Sequence, residues 1–195
     1  NVFVKVATKL IRPRKKGEQE AGDTTLLDER FLSTPSVAVE QANKAATLMA
    51  GRAMESLKAA FDGFIAEDES AKEKVDEVNV RVADMERAIV AYLIKISSQD
   101  VSLTDEKLIS AIHHSTGDIL RISELADNIT KYTRNCKRDG IEFSAGVKKS
   151  LQDMYAKIEE LYQKTLDVFD KKDITAIKAV DRVEDDVDAA RKDMI

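Results

Sequence analysis

Nine residues between Leu108 and Cys136 recur at alternating steps of four and three: Leu108, Ile112, Ser115, Ile119, Ile122, Ala126, Ile129, Thr133 and Cys136. That spacing places all nine on one face of a helix. A seam of this kind suits left-handed packing in an antiparallel bundle. Little else in the chain opposes long helices. Its 195 residues include only seven Gly and two Pro, no Trp, and a 34% charged fraction built on Lys, Glu, Asp and Arg. Such a composition, rich in helix formers and poor in breakers, predicts an all-α fold.

Boundaries follow from caps and stops. Residues 17–33 are polar, carry Gly and show no period, so a linker is expected there. Thr34 then caps a helix with Pro35 at its first position, where the missing N–H costs nothing. This helix carries Val37 through Met49, Met54, Leu57, Phe61 and Phe64 to about residue 66. A second, from about 69 to 97, places Val75, Val78, Val82, Met85, Ile89, Tyr92 and Ile96 on one stripe. Thr104 is the expected cap of the third helix, and "RDG" at 138–140 its stop. Ser144 caps a fourth helix to about 170, and Asp173 a fifth that is still periodic at the last residue. With Asn1 rather than Met at the start, both ends read as cut from a longer protein.

An offset of 105 residues relates two parts of the chain. "VDEVN" at 75–79 returns as "VDRVE" at 180–184, Val82 as Val187, Phe64 as Phe169, Asp68 as Asp173 and Met49 as Met154. The unit is three helices long, and a second copy of its third helix would begin near 207.

Charge is unevenly spread. The first sixteen residues hold six bases and no acid, so against a whole-chain charge of -5 residues 17–195 sum to −11. An acidic body excludes nucleic acid as a natural partner, whereas the basic leader suits an anionic membrane surface. As a helix, the leader sets Phe3, Val6, Leu10 and Ile11 opposite Lys5, Lys9, Arg12 and Lys16. Each base near such a surface contributes about 1 kcal/mol. The leader reads equally as a juxtamembrane linker whose bases set topology, and Val2, Val4 and Val6 alternate as in a strand. No run of eighteen apolar residues spans a bilayer.

The segment "DILRISELADNI" at 118–129, ending a three-helix unit, resembles the PhoU family. In that family the third helix carries Glu-Arg-Ile-Gly-Asp followed by Asn-Ile. Arg121, Ile122, Asn128 and Ile129 match, while Leu120, Ser123 and Glu124 stand where Glu, Gly and Asp are usual. The resemblance covers residues 36–195 and implies an antiparallel helical bundle of PhoU type, made of two three-helix repeats with the second truncated. Residues 1–33 would be the basic juxtamembrane leader and linker, 34–138 the first repeat and 139–195 the incomplete second. "LLDERFLSTPSVAVEQA" at 26–42 further resembles the segment joining the membrane part of bacterial sodium/phosphate cotransporters to their C-terminal PhoU-like domain. It implies a regulatory domain on the cytoplasmic side of the plasma membrane, covalently attached to a transporter. The alternatives are a free-standing metal-binding PhoU-type regulator of phosphate signalling, and a structural helical module that forms a homo-oligomer.

The resemblance also implies divalent metal sites for Mg, Mn or Fe, built from acids four residues apart on the second and third helices. In the first repeat those positions are Asn79, Ala83, Leu120 and Glu124, of which only Glu124 is a carboxylate. In the second they include Glu184 and Asp188, beside Asp181 and Asp185, without a partner helix. These acids read either as a solvated face or as half a site, and no tightly held cofactor is expected in the present chain. His113 and His114 are adjacent and so point apart. His114 and Asp118 are one turn apart, a common surface pairing, and Cys136 is a small packed residue at the end of the seam. There is no glycine-rich phosphate loop, nucleophile elbow or triad, so the sequence offers no enzyme.

Overall fold

The computed structural model describes residues 26–171 and 174–193. Five helices account for nearly all of them: α1 Pro35–Ala66, α2 Ala71–Ser97, α3 Leu103–Arg138, α4 Ala145–Lys171 and α5 Ile177–Asp193. Among the described residues there is no strand, and no helix is long and apolar enough to cross a membrane. The fold is an all-α helical bundle. Asp173, the expected cap of the last helix, and the basic leader lie outside the described residues.

α1 is the central helix, packed on both α2 and α3. It offers them Ala38, Ala42, Ala45, Ala46, Ala50 and Ala53, all fully buried, together with Val39 and Met49. Small side chains let neighbouring backbones come close, and the larger residues of α2 then fill the space. All seven residues of the predicted α2 stripe, from Val75 to Ile96, are buried. Removing from water a side chain as deeply placed as Ile89 stabilises the fold by about 1.5–3 kcal/mol. α1 ends in a left-handed residue, Glu67 (φ 57), whose turn is closed by the Asp68 N–H donating to the Gly63 carbonyl at 2.8 Å. The turn is tight enough that a Cβ on Gly63 would overlap that of Ala71.

The seam of α3 needs a half-correction. Ile112, Ile119, Ala126 and Thr133 are buried as predicted, but the intervening positions are displaced by one residue: Ile109, Thr116, Ser123 and Thr130 face the core. Leu108, Ser115, Ile122, Ile129 and Cys136 are only half-buried on the flank. The hydroxyls explain the choice. Thr116, Ser123 and Thr130 donate to carbonyls one turn back (His113, Leu120 and Asp127) at 2.7–2.8 Å, so they are buried without an unpaired polar group.

Two further boundaries differ from expectation. α3 starts at Leu103, and its cap is Ser102 rather than Thr104. The Ser102 hydroxyl accepts from the Asp105 N–H at 3.1 Å, which Thr104, already inside the helix, could not do. The linker, expected to lie apart from the core, instead joins it at its end. Leu26, Leu27 and Leu32 pack on the main core around a short 3-10 turn at Glu29–Ser33. The Tyr92 hydroxyl donates to the Asp28 carbonyl at 2.8 Å, and Lys95 pairs with Glu29. The predicted stop of α3 holds, with Gly140 in the left-handed region (φ 67), and Ser144 caps α4 as expected.

α4 docks on α1 through aromatic residues. Phe61 and Tyr155 stack at 4.3 Å, and the Tyr162 hydroxyl donates to the Ala50 carbonyl at 2.9 Å. α5 folds back on α4, and its Val183 is buried.

Candidate functional site

A polar groove runs between α2 and α3. On α2 its wall is set by residues three or four apart (Lys72, Asp76, Asn79, Ala83), and on α3 by Leu120, Glu124, Asp127 and Lys131. Helical spacing alone puts each set on one face. The antiparallel crossing of α2 and α3 then turns the two faces toward each other, so all four positions expected of a first metal site share one groove.

Their side chains are either engaged with neighbouring groups or apolar. Asn79 is half-buried and both ends of its amide are engaged. Its Oδ1 accepts from the Ser56 hydroxyl of α1 at 2.5 Å, and its Nδ2 donates to the Ser123 carbonyl of α3 at 2.8 Å. Ala83 and Leu120 bring no donor atom. The Glu124 carboxylate is half-exposed and lies 2.7 Å from the Arg121 guanidinium.

The remaining acids of the groove are matched by bases. Lys72 Nζ lies 2.5 Å from Asp76 on its own helix and 3.6 Å from Asp127 across the groove. Asp127 also holds Lys131 at 2.7 Å. The hydrogen bond to Asp76 raises the pKa of Lys72 above its ordinary value. That from Lys131 lowers the pKa of Asp127, against the opposing effect of burial. Asp76, Glu124 and Asp127 against Lys72, Arg121 and Lys131 leave the groove without net charge. Divalent cations prefer several unpaired, converging oxygens, which this arrangement does not provide.

Of the other candidates, Asp118 is exposed and lines no part of the groove. Glu184 and Asp188 are exposed on α5, one turn apart, with Asp188 at 3.6 Å from Arg191. Among the described residues no three His, Cys, Asp or Glu side chains come together as metal ligands. The rings of His113 and His114 meet edge to face at 5.8 Å on an exposed surface, and Cys136 is half-buried. Lys72, Ser56 and Ser123 were not legible as site residues. The available signal was Ser123, a small residue within the motif, which lets Asn79 reach the α3 backbone.

The convergence of the motif positions on one α2–α3 groove agrees with the comparison of the chain with protein families. A PhoU domain is found at residues 46–133. The match runs from within α1, through α2, to Thr133 near the end of α3, and so takes in the groove and every residue of the Asn79 junction. No curated protein and no solved structure matches the chain. The PhoU domain is a regulatory helical domain rather than an enzyme family, and it connects this part of the chain with phosphate homeostasis or its regulation.

Proposed function

We propose that the chain is the cytoplasmic regulatory domain of a sodium-dependent phosphate cotransporter, tuning phosphate transport from the inner face of the plasma membrane. The observation that carries this reading is the joint ahead of α1. Leu26, Leu27 and Leu32 pack on the PhoU-type core, and Asp28 and Glu29 are held by Tyr92 and Lys95 of α2. A chain arriving from a membrane domain is thereby fixed to the bundle rather than strung from it. The six bases among residues 1–16 would sit against an anionic leaflet. Glu184 and Asp188 would take part in holding Mg, Mn or Fe only where another helix supplied further oxygen ligands.

The test begins with the gene. About eight apolar stretches of roughly 20 residues upstream of Asn1 support the transporter, and a start codon close to Asn1 overturns it. Given such stretches, sodium-dependent uptake of labelled phosphate should change its dependence on cellular phosphate when residues 34–195 are deleted. Unchanged regulation would remove the regulatory role.

A further inference from the structure

We infer that the α2–α3 groove of the first repeat is a metal-independent three-helix junction, in which the Asn79 amide and the Lys72 ammonium supply the cross-links that carboxylates and a divalent cation would otherwise make. This holds whichever protein the domain serves, because it rests on the groove alone.

The orientation of Asn79 is dictated by its partners. A backbone carbonyl can only accept, so the amide nitrogen must face Ser123 and the oxygen must face Ser56. That oxygen, the one atom of Asn79 able to ligate a metal, is thus occupied by a hydroxyl from α1. The result is one side chain of α2 bonded to both α1 and α3. A carboxylate in its place would keep the bond from Ser56 but set an acceptor against the Ser123 carbonyl, so aspartate is a poor substitute. Ser56 is fully buried and has no water to fall back on.

Across the open side of the groove, Lys72 stands between Asp76 of α2 and Asp127 of α3. An ammonium group here offers three donors to carboxylates on two helices. It is a cation built into the chain, and its presence opposes the entry of another.

The experiment is thermal unfolding of the 195-residue chain in a Glu184→Gln, Asp188→Asn background, which removes the candidate ligand pair of α5. Melting should occur within about 1 °C of the same temperature in chelator and in millimolar Mn. A rise of several degrees with Mn that Glu124→Gln abolishes would overturn the inference. The junction itself is read in chelator. Asn79→Ala and Ser56→Ala should each lower the melting temperature by a few degrees, and the double variant should lose less than their sum. Strictly additive losses would show that the two side chains are not coupled, which also overturns it. If Asn79→Ala fails to fold, Asn79→Ser and the Mn response of the parent still decide the matter.

Discussion

Asn43 is 1% exposed on the alanine face of α1, and among the described residues neither polar atom of its amide has a hydrogen-bonding partner. A buried amide without partners costs about 1–3 kcal/mol. Asn43→Leu, similar in length and apolar, should therefore raise the melting temperature by several degrees, measured by circular dichroism. A fall would mean that the amide has a partner in solution. Asn79 is the opposite case, a half-buried amide with both ends used. Nothing in the one-letter code separates the two asparagines. The motif located Asn79, but whether an amide is satisfied depends on Ser56 and Ser123, one of them 23 positions away and the other 44.

At the scale of the helix, the predictions concern α3 and α4. Ile119→Asp would bury an unpaired charge at a position 8% exposed. It should cost more than about 3 kcal/mol, enough to abolish cooperative melting. Ser123→Leu should cost about 1–3 kcal/mol by forcing α2 and α3 apart. Leu125→Ser, at a position 47% exposed, should change stability by less than about 0.5 kcal/mol. If the ranking of the last two were reversed, the displaced register of α3 would be wrong. The helices were readable because their apolar period survives in the sequence, and α2 was placed residue by residue. In α3 the sequence pointed to the larger apolar residues Leu108, Ile122 and Ile129. The structure buries Thr116, Ser123 and Thr130 instead, whose hydroxyls bond to their own helix. Ser123 and Thr130 each follow a more apolar neighbour, Ile122 and Ile129, so the hydropathy pattern favoured the wrong flank. On α4, burial pushes the pKa of both Tyr155 and Tyr162 above its ordinary value, and nearby Glu159 and Asp62 add to the effect at Tyr155. A raised pKa means that the folded state holds the proton longer than the unfolded chain. The stabilisation is therefore complete below about pH 10 and is lost as pH rises further. Denaturant midpoints should fall above that pH, and Tyr155→Phe with Tyr162→Phe should flatten the decline.

Taken whole, the molecule begins earlier than its first long helix. A chain starting at Leu26 should melt several degrees above one starting at Thr34, because the shorter one loses three leucines from the core and the Asp28 carbonyl that Tyr92 bonds. Equal melting temperatures would show that the joint contributes nothing. The polar, aperiodic character of residues 17–33 gave no sign of this. Three leucines among charges reveal their role only once α2 supplies a surface for them.

The joint and the groove are both built on α2. Asn79 and Tyr92 lie thirteen residues apart on that helix, about 20 Å along a single rod. A helix packed along its whole length is stiff over that distance, so a shift of α2 at one end should be felt at the other. Whatever prises α2 from α3 must also pull on the chain ahead of α1. Strain in that chain would in turn load the Asn79 bonds through the rigid body of α2.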